Sequence, residues 1–351
     1  MSGNKRWVNR PEGSTWGDFG EDDQRGRINL LTSEKLKQGI AEVKEFQPFC
    51  LSLPLDLPGG NLLNPRRFPP VIRPTLRGDR PNMNYGLFRD NDQQTDVISD
   101  DLVVMHLQYS TQWDSLAHVG SRFDANGDGI PESVYYNGYR AGEHIIGPTD
   151  AKDAGVPGPG ENKSTSNAIA LGIQNMAESC VQGRGVMIDF HAHFGNKREI
   201  IGYDTLMRVM EQDKVVVEPG DMVCLHTGFA QLLMDMKGNP DLHTLENSCA
   251  ALDGRDQKLL KWITDSQLVV LMADNYAVET YPATSHIGCC ATLPLHEHCL
   301  FKLGVHLGEM FYLTPLAQWL RKNGRSRFLL TAPPLRLPGA VGSPATAVAT
   351  V

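Results

Sequence analysis

Short apolar runs alternate with amphipathic helix patterns over the second half of this chain, and this alternation limits the folds open to it. The pattern predicts strands at 186–190, 222–227, 268–273, 305–310 and 328–332, and helices at 166–182, 203–212, 256–264 and 293–303. Strands that are apolar on both faces need helices on both sides of their sheet. The sequence therefore predicts an α/β or α+β fold without internal repeats.

The composition is that of a soluble globular protein. The 351 residues are 41% hydrophobic and 21% charged, with a net charge of −8 and no long basic run. This balance disfavours a nucleic-acid partner, and no apolar segment reaches the roughly 20 residues of a membrane span. The N-terminal segment is polar and lacks the apolar core of a secretory signal. Seven cysteines without a C-x-x-C pair indicate a reducing compartment, so we expect a cytoplasmic protein.

The stretch 105–120 carries an unusual density of reactive side chains: Thr111, Gln112, Asp114 and His118. Side chains alternate along a strand, so Gln112 and Asp114 point to the same face. If the chain turns after Asp114, a carboxylate, an amide and an imidazole can meet at one point. That group suits a carboxylate that binds a metal and an imidazole that moves a proton. The alternative is a buried strand end with a hydrogen-bonded Asp and a core His.

In two further motifs, the spacing of the polar residues resembles that of metal ligands. The segment 124–129 reads D-A-N-G-D-G, the first half of a calcium loop, but Tyr135 stands where that loop has Glu. We interpret it as a turn. His191 and His193 follow a predicted strand as H-x-H, either as a metal pair or as structural residues.

Five segments together resemble one branch of the metal-dependent cyclase family, which includes bacterial kynurenine formamidase and isatin hydrolase. They are WGDFGEDDQRGRINLLT, EPGDMVCLHTGF, ADNYAVETYP, LHEHCLFKLGVHLGEMF and APPLRLPGAVGSPATA. The resemblance implies a β-rich swivelling β/β/α domain, with a barrel-like inner sheet surrounded by helices. It also implies one domain over 1–351, with 1–60 as an arm and 333–351 as a closing tail. The assembly it implies is a homodimer or homotetramer that acts on a small molecule.

The family hallmark H-x-G-T-H-x-D-x-P-x-H is matched here by QYSTQWDSLAH, residues 108–118. By that resemblance Asp114 is a metal ligand and His118 transfers protons. The distal ligands correspond to Glu309 and to His296, with His298 as the alternative because the spacing varies in the family.

This sequence departs from the hallmark at four positions. Ser110 replaces Gly and Leu116 replaces Pro, while Gln108 and Gln112 stand where the family has metal-binding His. An amide oxygen is a weaker, neutral ligand. The remaining donors, Asp114, His296, Glu309 and Gln112, predict one divalent ion, with Mn or Zn favoured and Mg also compatible.

The resemblance and these residues predict a metal-dependent hydrolase of a small cyclic or aromatic amide, lactam, lactone or ester. His118 would act as the base on a water activated by the cation. Trp113 and Phe190 are predicted to form walls around the substrate, and Thr111 and Gln108 to contact it. Two alternatives remain: a metal-assisted cyclase or dehydratase, and a ligand-binding protein without catalysis. Kynurenine formamidase itself is disfavoured because the residues of its binuclear site are missing.

Overall fold

A curled nine-stranded sheet organises residues 5–156, 158 and 161–351, which are the residues described by the computed structural model. Its strands are β1 Pro48–Cys50, β2 Gln112–Asp114, β3 Gln182–Asp189, β4 Met222–His226, β5 Val270–Ala273, β6 His306–Glu309, β7 Arg327–Thr331, β8 Gly342–Pro344 and β9 Val348–Thr350. They lie in the order β1-β9-β7-β3-β4-β5-β6-β2-β8. Strands β3 to β6 are parallel, and the strands on either side of them are antiparallel. The predicted α/β class is confirmed.

Helices cross over between the parallel strands and cover the sheet. The helices are α1 Ser33–Ala41, α2 Gln174–Glu178, α3 His191–Phe194, α4 Tyr203–Gln212, α5 Phe229–Met236, α6 Leu242–Glu246, α7 Gln257–Ser266, α8 Pro294–His296 and α9 Thr314–Lys322, with a π-helix at Glu297–Leu303. Local capping fixes two of the starts. Thr32 accepts a hydrogen bond from the backbone of Lys35 at α1, and Asp256 accepts from Lys258 and Leu259 at α7. None of the helices in the described ranges is both long enough and apolar enough to cross a bilayer.

The core lies on both faces of the sheet because side chains alternate along each central strand. In β3, Val186 and Ile188 belong to one buried cluster and Met187 to the other. In β4, Leu225 packs in the first cluster and Cys224 in the second. This two-sided burial is what the continuous apolar runs predict for parallel strands.

Short two-stranded ribbons surround the sheet. They pair Val71–Pro74 with Asp101–Val104, Leu76–Arg77 with Arg80–Pro81, Tyr85–Gly86 with Val97–Ile98, Ser121–Phe123 with Glu132–Val134, Ile145–Ile146 with Asn167–Ala168, and Glu199–Ile201 with Ala250–Leu252. Short 3₁₀ turns lie at Gly26–Leu30, Leu87–Arg89, Tyr136–Gly138 and Ala151–Asp153. The ribbons place much of the N-terminal half around the sheet, whereas β1 and β2 of that half lie within it.

The strands that the sequence predicts between 186 and 332 are confirmed with small shifts at their ends, and so are the helices at 203–212 and 256–264. The single helix predicted over 166–182 is wrong. Leu171 adopts a left-handed backbone (φ 62°), and the amide of Ala168 pairs with the carbonyl of Gly339, so long-range pairing replaces the helix there.

The closing tail is also more regular than predicted, because it supplies β8 and β9. Pro344 is tolerated in β8 because that strand lies at the edge of the sheet. Whether 1–351 forms a single domain stays a prediction. Residues 157, 159 and 160 lie outside the described residues, as do residues 1–4 of the predicted arm.

The arm docks on the π-helix through a close backbone contact. Trp16 is fully buried and its indole N–H donates to the carbonyl of Phe301. The backbone of Arg27 donates to the carbonyl of Gly304. A Cβ on Gly26, which has φ +57°, would lie 2.1 Å from that same carbonyl oxygen. The arm is therefore part of the folded structure.

We expect Gly26→Ala to lower the free energy of unfolding by about 3 kcal/mol, since it combines left-handed strain with a backbone clash. Gly13→Ala is the matched control, because Gly13 has φ +70° but nothing lies within 4 Å of its Cβ position. That variant should lose only about 1 kcal/mol. Chemical denaturation measures both, and equal losses would contradict the proposed contact.

Candidate metal centre

The register between β2 and β6 brings the first two donors together. These strands are antiparallel, with Gln112 opposite Glu309 and Asp114 opposite Leu307. The amide of Gln112 donates to Glu309 Oε2 at 3.0 Å. Because side chains alternate, Gln112 and Asp114 share this face while Trp113 points to the other.

His296 joins them from the end of α8. Its Nε2 lies 3.2 Å from Glu309 Oε1 and 3.8 Å from Asp114 Oδ2. One donor atom each from Asp114, His296 and Glu309 lies within 4.8 Å of the other two, and all three side chains are buried. The predicted ligands therefore converge, and the histidine among them is His296. The Nε2 of His298 instead contacts Thr264.

Two oxygens at this point have no hydrogen-bond partner in the described part of the chain. They are Asp114 Oδ2 and Gln112 Oε1, and both are buried. A buried acceptor without a donor is costly, and native structures seldom leave one. A divalent cation would use both oxygens together with a carboxylate and an imidazole. This donor set fits Mn or Zn and is compatible with Mg.

The charges of the centre are strongly coupled. Burial raises the pKa of Asp114. Burial opposes the charge on His296, but hydrogen bonds to Glu279 and Glu309 outweigh it and raise the pKa to about 10. Burial likewise disfavours the charged form of Glu309, but its contact with His296 outweighs burial and lowers the pKa of Glu309. The positive charge favoured on His296 thus faces the negative charge of the neighbouring carboxylates.

His118 lies beside the donors and is partly accessible, with 22% of its side chain exposed. The Nε2 of Gln108 lies 3.1 Å from Asp114 Oδ1 and 2.8 Å from His118 Nδ1, so one NH₂ group donates to both. This assignment leaves the lone pair of His118 on Nδ1. Gly342 gives the amide room, since a Cβ there would lie 2.7 Å from Gln108 Cδ.

Glu279 is not among the site residues predicted from the sequence, although it lies in the family-like segment ADNYAVETYP. This carboxylate is 1% exposed and accepts from His296 Nδ1 at 2.8 Å and from the backbone amides of Leu295 and His296 at 3.0 Å. It follows Ala277 and Val278, which both adopt left-handed backbone (φ 70° and 58°). Such a conformation is costly for a β-branched residue. The strained turn positions the Glu279 carboxylate to accept from His296 Nδ1. This hydrogen bond orients the imidazole ring with Nε2 toward the other donors.

A cavity of about 10 Å³ adjoins the centre, lined in part by Arg67, Gln108, Tyr276 and Met310. This is room for one water. Arg67 donates to the backbone carbonyl of Gln108. Its charge also acts on Glu309 and favours the ionised carboxylate there.

Three residues predicted to contact substrate are buried, and their contact with substrate stays a prediction. Trp113 lies on the strand face opposite the donors, where its indole donates to the carbonyl of Ala332. Phe190 is buried in the other core cluster. Thr111 uses its hydroxyl in buried hydrogen bonds with the backbone of Met310 and Leu53. In this structure all three contribute to packing and to internal hydrogen bonds.

The two other motifs are structural. His193 pairs with Asp213, and His191 contacts Asn196, so the H-x-H pair does not share a ligand position. Asp124 accepts hydrogen bonds from the backbone of Gly127 and Gly129, which is the turn that the sequence predicts.

A family model with the description "Putative cyclase" matches residues 49–280. This match covers well over half of the sequence. The chain belongs to the Cyclase family. A search of curated proteins found no match.

Solved structures carry the same fold as this cyclase-family chain. A crystal structure described as a novel cyclase is 28% identical, with 96% of this chain and 97% of that chain covered and a TM-score of 0.71. Isatin hydrolase A from Ralstonia solanacearum is 14% identical, with 90% and 95% covered and a TM-score of 0.53. Isatin hydrolase A from Labrenzia aggregata bound to benzyl benzoate is 13% identical, with 90% and 97% covered and a TM-score of 0.51. The two isatin hydrolases show likeness of fold alone.

We expect Glu279→Gln to weaken Mn²⁺ binding by about 10–100-fold. A glutamine has only one acceptor oxygen. If that oxygen faces His296 Nδ1, the NH₂ group faces the backbone N–H of Leu295. If the NH₂ group faces Nδ1 instead, the proton of the imidazole moves to Nε2, the atom that should bind the metal. Titration calorimetry measures the affinity, and the thermal midpoint of the metal-free protein checks the fold. Glu246→Gln, an exposed change in α6, should bind like the wild type. Unchanged affinity in Glu279→Gln would contradict the role of this carboxylate.

A second ion-pair network lies at the end of β3, away from the donors. Asp189 accepts from His226 Nδ1 at 2.8 Å and Arg321 Nε at 3.0 Å. Burial raises the pKa of Asp189, but these two partners outweigh it and lower the pKa to about 2.

Because the folded pKa of Asp189 lies below its ordinary value of 3.8, this stabilisation is complete above pH 4 and is lost as the pH falls toward 2. Between pH 5 and 2 the wild type should lose about 2 kcal/mol of unfolding free energy more than Asp189→Asn does. Denaturation at a series of pH values measures the difference. Parallel pH profiles of the two proteins would contradict it.

Proposed function

We propose that this protein is a metal-dependent hydrolase of a small cyclic or aromatic amide, lactam, lactone or ester. The observation that carries the proposal is the convergence of Asp114, His296 and Glu309, beside which two buried oxygens, Asp114 Oδ2 and Gln112 Oε1, have no hydrogen-bond partner among the described residues. Membership of the Cyclase family and the accessible His118 beside the donors support it.

A divalent cation at this position supplies charge that polarises a carbonyl and makes a water more acidic. Asp114 and Glu309 contribute the negative charge that holds it, and Gln112 contributes a neutral oxygen. Glu279 keeps the ring of His296 in the orientation for binding. The cavity beside Gln108 and Arg67 has room for the water that attacks the substrate.

His118 moves the proton. Its Nδ1 lone pair is covered by the amide of Gln108 in the resting structure. Once that amide turns away, Nδ1 accepts the proton of the attacking water and returns it to the leaving group, as a general base and then a general acid. Arg67, which lines the same small cavity, would stabilise the negative oxygen that develops on the substrate.

We expect His118→Ala to lower kcat by about 10²–10⁴-fold while metal content stays unchanged. Asp114→Ala should lose both the metal and the turnover. Elemental analysis and a screen of lactones, amides and esters measure the two properties. His298→Ala is the control. This histidine lies on the same helical segment as His296, but it contacts Thr264 instead of the metal donors.

Product mass separates hydrolysis from the alternative reactions, since hydrolysis adds one water and cyclisation or dehydration does not. Turnover of His118→Ala at the wild-type rate, or a wild-type protein that binds no divalent metal, would end this proposal. The metal identity (Mn or Zn), a cytoplasmic location and a homodimer or homotetramer stay predictions.

A further inference from the structure

A second cavity of about 180 Å³ lies behind the small cavity at the centre. Its walls combine the apolar or aromatic side chains of Leu63, Phe229, Leu245, Tyr276 and Tyr281 with several polar ones. An apolar cavity of about 150 Å³ is known to take up benzene. The space therefore suits one substituted aromatic ring.

This cavity borders the small cavity beside the candidate metal centre, with which it shares two walls. Leu63 and Tyr276 line both it and the small cavity beside Gln108. Glu279, which fixes His296, also lines it. A ring held here would therefore extend a neighbouring group toward the metal donors past Tyr276.

One cation in the wall lacks a charged partner. The guanidinium of Arg198 is half-buried and donates to the hydroxyl of Thr280. Throughout residues 5–156, 158 and 161–351, no carboxylate oxygen lies within 4.0 Å of it. Burial lowers the pKa of Arg198, which nonetheless stays protonated. A partly desolvated guanidinium gains most from a carboxylate, which matches its planar fork of donors.

The two acidic residues of this wall do not fill that role. Glu279 uses its oxygens to accept from His296 and Leu295. Glu246 is exposed and lies beyond ion-pair distance of Arg198. The free donors of Arg198 are therefore open to a ligand.

We infer that this cavity binds an aromatic ring bearing a carboxylate, with Arg198 as the partner of the acid group. The claim that the ring is part of the substrate rests on the proposed function, and the binding site itself does not. Together with the proposed function, binding at this cavity narrows the substrate class to an aromatic acid derivative. Its amide, lactam, lactone or ester bond would reach past Tyr276 to the metal donors.

The test compares binding of benzoate with binding of benzamide, a neutral molecule of the same size, to the full-length purified protein by calorimetry. Arg198→Gln should weaken benzoate binding by about 10–100-fold and leave benzamide unchanged. Arg255→Gln is the matched control, because Arg255 donates to the carbonyls of Thr284 and Ala291 and lies outside this cavity. Equal loss of both ligands in Arg198→Gln, or loss of neither, would overturn the inference.

A second variant covers the case in which Arg198→Gln does not fold. Ser248→Phe places a ring in the cavity and should abolish binding of benzoate and benzamide alike, and retained binding would overturn the inference. Asp114→Ala separates this inference from the proposed function. Benzoate binding that depends on Asp114 and not on Arg198 would place the ligand on the metal and overturn the inference. Binding that depends on Arg198 in a wild-type protein without metal would overturn the proposed function alone.

Discussion

The antiparallel pairing of β2 with β6 is the contact on which the centre depends. It sets Gln112 against Glu309 and places Asp114 on the same face. Two buried carboxylates need a compensating positive charge, because desolvated like charges repel strongly. Against the opposing effect of burial, hydrogen bonds to Glu279 and Glu309 favour the charged form of His296 and raise its pKa. Asp114 Oδ2 and Gln112 Oε1 remain buried without a hydrogen-bond partner in the part of the chain that the structure describes, so a cation here would satisfy acceptors that the protein leaves unpaired.

The fold was predictable where local pattern and tertiary structure agree. The apolar runs of β4 and β5 are short, continuous and buried on both faces, so their residues alone indicate strands. Strand β6 is also buried along its whole length, although its sequence is mixed. The segment at 166–182 has helical periodicity, yet its backbone pairs with distant chain at Gly339. The strands of the tail could not be predicted from sequence either, because Gly and Pro are rare in strands. They are tolerated in β8 because that strand lies at the edge of the sheet.

The site was predictable where several donors lie in one stretch and less so elsewhere. Alternation along β2 correctly groups Gln112 with Asp114, and the same alternation excludes Trp113, whose ring packs on the far side beside Gly308. Choosing His296 over His298 requires the phase of a helix that changes from α to π at that point. The role of Glu279 could not be predicted although its segment ADNYAVETYP resembles the family, because the position of this carboxylate depends on two left-handed residues that no local sequence pattern indicates.

The strand that carries Asp114 has both of its hydrogen-bonded neighbours far downstream, at His306–Glu309 and Gly342–Pro344. During synthesis that strand leaves the ribosome long before either neighbour exists, and contacts of such sequence separation form late and slowly. The donor-bearing face of β2 is therefore framed on both sides only after the segment Gly342–Pro344 has been synthesised.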